Sequence, residues 1–181
     1  SRDSYLYAID ALTGSLKWKY FADNISLEES SPTVSNGIVY IGGWYDVSDF
    51  TKPGSVYAID EQTGNLLWTA LDHLGFSSSP VINAGSLYIS ADDLNLYSIN
   101  AATGALNWKS QIIPNGASPA IAEGVVYVGG GGTGFFYALD AANGNIKWKF
   151  AIGQNGLDTS SPCVIGVDGT VYHPGVSGEE F

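Results

Sequence analysis

The sequence predicts an all-β fold, a β-propeller of four-stranded antiparallel blades, on three grounds. One phrase recurs four times, its copies are dense in strand formers and turn residues, and no segment sustains a helical apolar period over three turns. The phrase reads Tyr7-Ala8-Ile9-Asp10…Gly14…Trp18, Tyr57-Ala58-Ile59-Asp60…Gly64…Trp68, Tyr97-Ser98-Ile99-Asn100…Gly104…Trp108 and Tyr137-Ala138-Leu139-Asp140…Gly144…Trp148, with the tyrosines 50, 40 and 40 residues apart. Units of this length cannot bury their apolar faces alone and must stack. The four repeats run approximately over 6–55, 56–95, 96–135 and 136–181, within one propeller domain.

Each unit carries four short runs of β-branched and aromatic residues bounded by turn signals. The third shows them as Ser118-Pro119-Ala120-Ile121, Val125-Val126-Tyr127-Val128, Phe135-Phe136-Tyr137-Ala138-Leu139 and Asn145-Ile146-Lys147-Trp148-Lys149-Phe150. Proline at each first-strand start costs little there, as in Ser31-Pro32, Ser79-Pro80 and Ser161-Pro162. Asn36-Gly37, Ala84-Gly85, Glu123-Gly124 and Asp168-Gly169 predict tight hairpins between first and second strands. Third and fourth strands are joined by Asp-x-x-Thr-Gly or a near variant, whose Asp or Asn bonds nearby amides while Gly supplies the left-handed residue.

The phrase Ala-x-Asp-x-x-x-Gly-x-x-x-Trp resembles the tryptophan-docking motif of PQQ-like repeat propellers, the quinoprotein alcohol dehydrogenase-like and BamB-like proteins, across essentially the whole chain. The resemblance implies that each indole packs between the Ala and the Gly peptide of the neighbouring motif. It assigns that role to Ala8, Gly14 and Trp18, to Ala58, Gly64 and Trp68, to Gly104 and Trp108, and to Ala138, Gly144 and Trp148, with Ser98 where the third Ala belongs. An indole burying about 150–250 Å² is worth several kcal/mol at about 25 cal/mol per Å².

Composition narrows the function. The 181 residues are 45 % apolar and 13 % aromatic, enough for a folded core, and no run approaches a membrane span. Eighteen acids against seven bases give a net charge of −11, which repels a phosphate backbone and argues against nucleic acid. The lone Cys163 forms no internal disulfide and is read as buried packing, and the polar, cysteine-poor composition suggests an exported protein, periplasmic, cell-surface or extracellular.

Chain phase adds a constraint. Leu6 begins a third strand, and Val171-Tyr172 is a second strand followed by a loop. Family propellers usually have seven or eight blades, so four repeats are expected to trace half of an eight-bladed ring. A second copy, further sequence of a longer protein, or closure of four blades on themselves would cover the ends. The first two are favoured, because four-fold closure needs a larger rotation per blade.

The loops joining fourth to first and second to third strands share one irregular rim, whereas the opposite rim holds short turns. Long variable loops on a rigid scaffold mark the binding face. Counting Asp3, twelve of the eighteen acids fall on this rim, among them Asp23, Glu28, Glu29, Asp46, Asp49, Asp72, Asp92, Asp93, Asp158, Glu179 and Glu180. A negative rim attracts a cation or a basic partner segment, and the plainer reading is a solvated acidic surface. The first interval's ten extra residues fall in Gly42–Gly54, whose Trp44, Tyr45 and Phe50 could anchor a partner or a ring-shaped ligand, or pack down and order the loop. The candidate partner-binding residues are therefore Trp44, Tyr45, Asp46, Asp49, Phe50, Asp92 and Asp93.

Other signals are set aside. Gly129–Gly134 satisfies G-x-G-x-x-G, but the strand-like Phe135–Asp140 follows where a phosphate-binding helix is required. His73 and His173 share no metal-ligand spacing, and neither Asp92-Asp93 nor Asp46…Asp49 resembles a calcium loop. The expected function is a non-catalytic scaffold that binds a protein or polymer on its acidic rim, with no cofactor. The alternative is a fragment of a quinoprotein dehydrogenase. The resemblance gives such enzymes PQQ, calcium, a catalytic Asp and typically a disulfide between adjacent cysteines, and this chain has no adjacent cysteines.

Overall fold

Alternation of buried and exposed residues along each short strand decides which sheet face enters the core. The computed structural model describes residues 3–49, 51–114, 116–152 and 162–174. Among the described residues it is all-β, with one 3₁₀ turn at Gly131–Thr133 and no helix long and apolar enough to cross a membrane. The chain divides into two compact units, Ser1–Pro80 and Val81–Phe181.

In the first unit β1 (Tyr5–Ile9) and β2 (Leu16–Phe21) form a two-stranded sheet. A four-stranded sheet follows in the order β3 (Thr33–Ser35), β4 (Ile38–Gly42), β5 (Val56–Asp60) and β6 (Leu66–Ala70). The second unit holds two more four-stranded sheets. One runs β7 (Val81–Asn83), β8 (Ser86–Ser90), β9 (Asn95–Asn100) and β10 (Leu106–Gln111). The other runs β11 (Ala120–Ala122), β12 (Val125–Gly129), β13 (Phe135–Asp140) and β14 (Ile146–Ala151). A two-stranded sheet of β15 (Val164–Ile165) and β16 (Val171–Tyr172) completes it. All pairings are antiparallel. The described strands thus make three whole blades and two half blades, because the chain enters at a third strand and β16 is a second strand.

In the three four-stranded sheets the second and third strands are the buried ones, and the fourth strands are largely exposed. In the first unit Ile25, Leu27, Val39, Ile41, Tyr57 and Ile59 form the core, with Trp18 and Tyr20 packed on it. In the second, Tyr88, Leu96, Trp108, Ile112, Val126, Val128 and Leu139 cluster together. Cys163 is buried, with its thiol pushed up to about 11 by desolvation, as expected of an inert packing residue.

Three first hairpins are two-residue turns with both residues at positive φ: Asn36 and Gly37 (51° and 77°), Ala84 and Gly85 (46° and 77°), and Glu123 and Gly124 (49° and 73°). That is the turn whose twist matches a right-handed strand pair. The last hairpin corrects the expectation of four equivalent turns. Gly166 N–H donates to Thr170 O at 2.8 Å, so Val167, Asp168 and Gly169 form a three-residue loop with Gly169 alone left-handed among them. Asp168 secures it by accepting from the Thr170 amide and hydroxyl.

The turns between third and fourth strands repeat one bonding scheme. Asp10 Oδ1 accepts from Leu12 N, Thr13 N and Thr13 Oγ1, while Gly14 N–H donates to Asp10 O at 2.9 Å. Asp60 does the same with Gln62, Thr63 and Gly64, and Asn100 with Ala102, Thr103 and Gly104. Bonds from the following threonine, the amide leading at Asp10 and the hydroxyl at Asp60, hold both carboxyls below the usual carboxylate range.

Register sets a Tyr, a small residue and a Trp in one row across each whole blade: Tyr40–Ala58–Trp68, Tyr88–Ser98–Trp108 and Tyr127–Ala138–Trp148. Directly opposed residues share a sheet face. The small middle residue lets the flanking rings close over it, with centroids 5.9 Å apart in all three rows. At Ser98 the buried hydroxyl accepts from Asn107 Nδ2 at 3.2 Å. The register thus sets a small residue opposite the indole within the indole's own blade.

The neighbouring blade contributes the glycine turn. Trp18 Nε1 donates to Glu61 O at 2.8 Å, and a Cβ built on Gly64 would lie 2.7 Å from Trp18 Cδ2. Trp108 Nε1 donates to Ala141 O at 2.9 Å, and a Cβ on Gly144 would lie 2.5 Å from Trp108 Cε3. Only glycine fits a left-handed position under an indole.

Two outcomes follow for this framework. Gly37→Ala, left-handed but with open space above it, should cost about 1–2 kcal/mol. Gly64→Ala should cost roughly 1–3 kcal/mol more, because Trp18 must move; urea midpoints of the two variants read the difference. The depressed Asp60 pKa stabilises the fold above the unfolded value near ~3.9 and is lost as pH falls through the lower folded value. Asp60→Asn keeps the Oδ1 acceptor without titrating, so its melting temperature relative to the parent should rise on going from pH 6 to pH 2.5.

Candidate functional site

The long connection after β4 is a built element. Gly43 and Gly54 meet at its base, where a Cβ on Gly43 would strike Ile25 and Tyr57 and one on Gly54 would strike the Gly43 backbone. Between them the chain pairs with itself through the Tyr45–Pro53 bridge and with the preceding connection through Ile25–Asp46. Ser26 N–H donates to Tyr45 O at 2.8 Å, Trp44 N–H to Ser26 O at 2.9 Å and Val47 N–H to Asn24 O at 2.9 Å. The connection after β6 joins them, with Phe76 N–H donating to Gly43 O at 3.1 Å and Ser55 Oγ to Asp72 Oδ1 at 2.8 Å. Phe76 itself is fully buried.

Trp44 and Tyr45 sit on this clasp half-buried, their rings edge to face at 5.5 Å and 71°. The two carboxylates beside them are engaged within the loop. Asp46 is buried and its Oδ1 accepts from Ser48 Oγ at 2.6 Å, Ser48 N at 2.8 Å and Asp49 N at 3.2 Å. Asp49 accepts from Thr51 Oγ1 at 2.6 Å and Thr51 N at 3.1 Å, with Lys52 Nζ at 3.6 Å. Both carboxyls are held below the usual range, led by the Ser48 hydroxyl at Asp46 and the Thr51 hydroxyl at Asp49. These bonds close consecutive turns and keep the loop in shape. Phe50 lies outside the described residues, as do Asp158, Glu179 and Glu180.

Asp92 and Asp93 belong to the second unit, in the turn between β8 and β9. Asp93 Oδ2 accepts from Tyr97 Oη at 2.6 Å and from Asn95 Nδ2 at 2.8 Å. Burial first, and then the Asp93 bond, drive the Tyr97 phenol well above its ordinary value. Asp3 holds Tyr7 in the same way through Oδ2 at 2.5 Å. The Asp-x-x-x-Tyr spacing in the first and third copies of the phrase is the signal that identifies these clips, and it was not used in the reading of the sequence.

The structure therefore brings Trp44, Tyr45, Asp46 and Asp49 together and leaves Asp92 and Asp93 to a separate turn. The segments 21–30, 42–54 and 70–78 carry Asp23, Glu28, Glu29, Asp46, Asp49 and Asp72 against one lysine, Lys52, with Asp23, Glu28, Glu29 and Asp72 exposed. Among the described residues no three His, Cys, Asp or Glu side chains gather where they could hold a metal ion. The glycine run at Gly129–Gly134 makes a 3₁₀ turn and leads into β13, with Thr133 Oγ1 donating to Gly130 O at 2.6 Å.

Comparison with known proteins places these features. A quinohemoprotein alcohol dehydrogenase of Comamonas testosteroni is 29 % identical over 133 residues, 63 % of this chain and 18 % of that protein. The outer membrane protein assembly factor BamB of Yersinia pestis is 29 % identical over 144 residues, 70 % of this chain and 34 % of that protein. The chain thus spans about a third or less of the curated relatives named here. The crystal structure of BamB from Moraxella catarrhalis superposes with a TM-score of 0.77 at 20 % identity, over 97 % of this chain and 54 % of that one. The family described as outer membrane protein assembly factor BamB matches residues 52–179. With its repeated phrase, its four-stranded antiparallel sheets and that match over more than half its length, the chain belongs to the PQQ-like, BamB-type repeat family of β-propellers.

Proposed function

We propose that the chain is a non-catalytic, exported binding scaffold, periplasmic or at the cell surface, that holds a protein segment on the clasp formed by the connections after β2, β4 and β6. One observation carries this reading. Trp44 and Tyr45 are presented on backbone bonded along its length, beside acidic groups and a single lysine. Aromatic anchors fixed in advance lose little entropy on binding, and surrounding negative charge steers a basic segment toward them. The indole clasps act as framework, with Trp18 and Trp108 each reaching the glycine turn of the next blade. Ring-completing self-association is part of the same reading. The BamB relatives are by name factors of outer membrane protein assembly, and the partner class proposed by analogy is a protein of that assembly.

A second reading, a fragment of a quinoprotein dehydrogenase, is favoured by the 29 % identity to the Comamonas enzyme. Among the described residues no three His, Cys, Asp or Glu side chains gather where they could hold a metal ion, and Cys163 is a single buried thiol.

Two experiments separate the readings. Trp44→Ser with Tyr45→Ser should lower capture of cross-linked partners from a periplasmic extract at least tenfold, with the melting temperature held within about 2 °C; undiminished capture rejects the clasp as the anchor. Pyrroloquinoline quinone with calcium at 100 times a Kd would add about 2.7 kcal/mol of stability. The scaffold reading expects no change in melting temperature, and a saturable rise would favour the enzyme fragment.

A further inference from the structure

Copies of one phrase serve as controls for one another, and the third and fourth depart from the pattern where they face each other. In the third, Ser86 stands where Ile38 and Val125 stand, Ser98 where Ala58 and Ala138 stand, and Asn107 where Leu67 and Lys147 stand. The three are bonded together: Asn107 Nδ2 donates to Ser86 Oγ at 3.3 Å and to Ser98 Oγ at 3.2 Å. Ser98 is 0 % exposed, so a hydroxyl sits inside the row of rings at the place that Ala fills in the other whole blades. With Nδ2 so engaged, Asn107 Oδ1 accepts from no donor among the described residues.

The fourth copy departs on the opposite side. Asn143 replaces the threonine of the Asp-x-x-Thr-Gly turn, and its Oδ1 accepts from Asn145 N at 3.0 Å, as Thr63 Oγ1 accepts from Asn65 N. The hydroxyl that Thr63 donates to Asp60 is lost. Asp10 Oδ1 and Asp60 Oδ1 each take an amide pair and a hydroxyl, whereas among the described residues Asp140 Oδ1 accepts from Ala142 N alone, at 2.9 Å. Its Oδ2 lies 3.6 Å from Lys147 Nζ.

Between these two blades, wholly inside the second unit, lies an open cleft of about 870 Å³. One wall presents Ser86 and Asn107, and the other Glu123, Asp140 and Lys147. The buried rings of Tyr88 and Trp108 line it as well, and both are pinned to one acceptor of the far wall: Tyr88 Oη at 3.2 Å and Trp108 Nε1 at 2.9 Å donate to Ala141 O. The lining is thereby fixed before anything enters, which lowers the entropy lost on binding.

The chemistry of the walls selects among ligands. An anion would meet two carboxylates and a lysine already beside Asp140. An apolar molecule would strip water from the amide, the hydroxyl and the carboxylates without replacing their bonds, which is costly. A sugar supplies what both walls lack: hydroxyls that donate to Asn107 Oδ1, Asp140 and Glu123 and accept from Lys147, and a C–H face for the rings. We propose that the cleft binds a short neutral saccharide, held by Ser86 and Asn107 on one wall and by Glu123 and Asp140 on the other. The site belongs to the second unit and is independent of the clasp, which belongs to the first.

Isothermal titration of the full chain with cellobiose, maltose and N,N′-diacetylchitobiose should give a saturable isotherm for at least one, little changed by salt because the ligand carries no charge. Asn107→Leu and Ser86→Val install the residues of sister copies, so each should weaken that saccharide at least tenfold while the melting temperature stays within about 2 °C. Asn107→Lys, the residue of the first and fourth copies, tests the same position should the leucine variant fold poorly. Binding of none of the three sugars overturns the proposal, as does binding that survives these substitutions undiminished. Tighter binding of glucuronate than of the neutral sugars overturns it too. The Trp44→Ser/Tyr45→Ser chain should titrate like the parent, so failure of the clasp reading and failure of this site are read separately.

Discussion

At Trp18 and Trp108 an indole ring lies opposite a small residue of its own sheet and against a glycine turn of the next, and this close approach constrains the sheets on both sides. The contact is geometric before it is energetic. A ring can lie flat only where the opposing strand offers Ala or Ser, and the neighbouring backbone can approach only where Cβ is absent. Gly64 and Gly144 meet both requirements at left-handed φ, and the indole N–H finds a turn carbonyl in each case. The indole N–H is thereby paired at the point of closest packing.

The same row explains why the inner strands need so little else. Tyr, Ala or Ser, and Trp lock one face of each blade, so the remaining core positions have only to be apolar and of suitable size. Polar groups are handled locally. Asp10, Asp60 and Asn100 each close their own turn, and Asp46 and Asp49 do so within the long loop. Carboxylates that look like ligands in a one-dimensional reading are thus already engaged by neighbours two or three residues away.

Repetition made the fold legible from the sequence. The phrase, the turn residues and the absence of a helical period placed the strand runs, including the third-strand start at Leu6 and the second strand at Val171-Tyr172. The three-residue loop at Val167–Gly169 was missed because Asp168-Gly169 resembles a two-residue turn when backbone angles are unknown. The clasp was legible only as an insertion with aromatics. Its bonds to Asn24 and Ser26 are main-chain contacts between segments about twenty residues apart, and such pairings leave no trace in residue type. The tether between Asp93 and Tyr97 was legible in principle, since its spacing recurs at Asp3 and Tyr7.

The long loop after β4 has an evolutionary meaning. The first interval is ten residues longer than the others, yet Tyr and Trp remain eleven residues apart in all four copies of the phrase. Growth was confined to a segment that the indole contact never touches, so the scaffold registers no change. A gene built on such units can be lengthened by tandem duplication or decorated by insertion without inventing a new interface. Selection can then act on each loop as an independent trait.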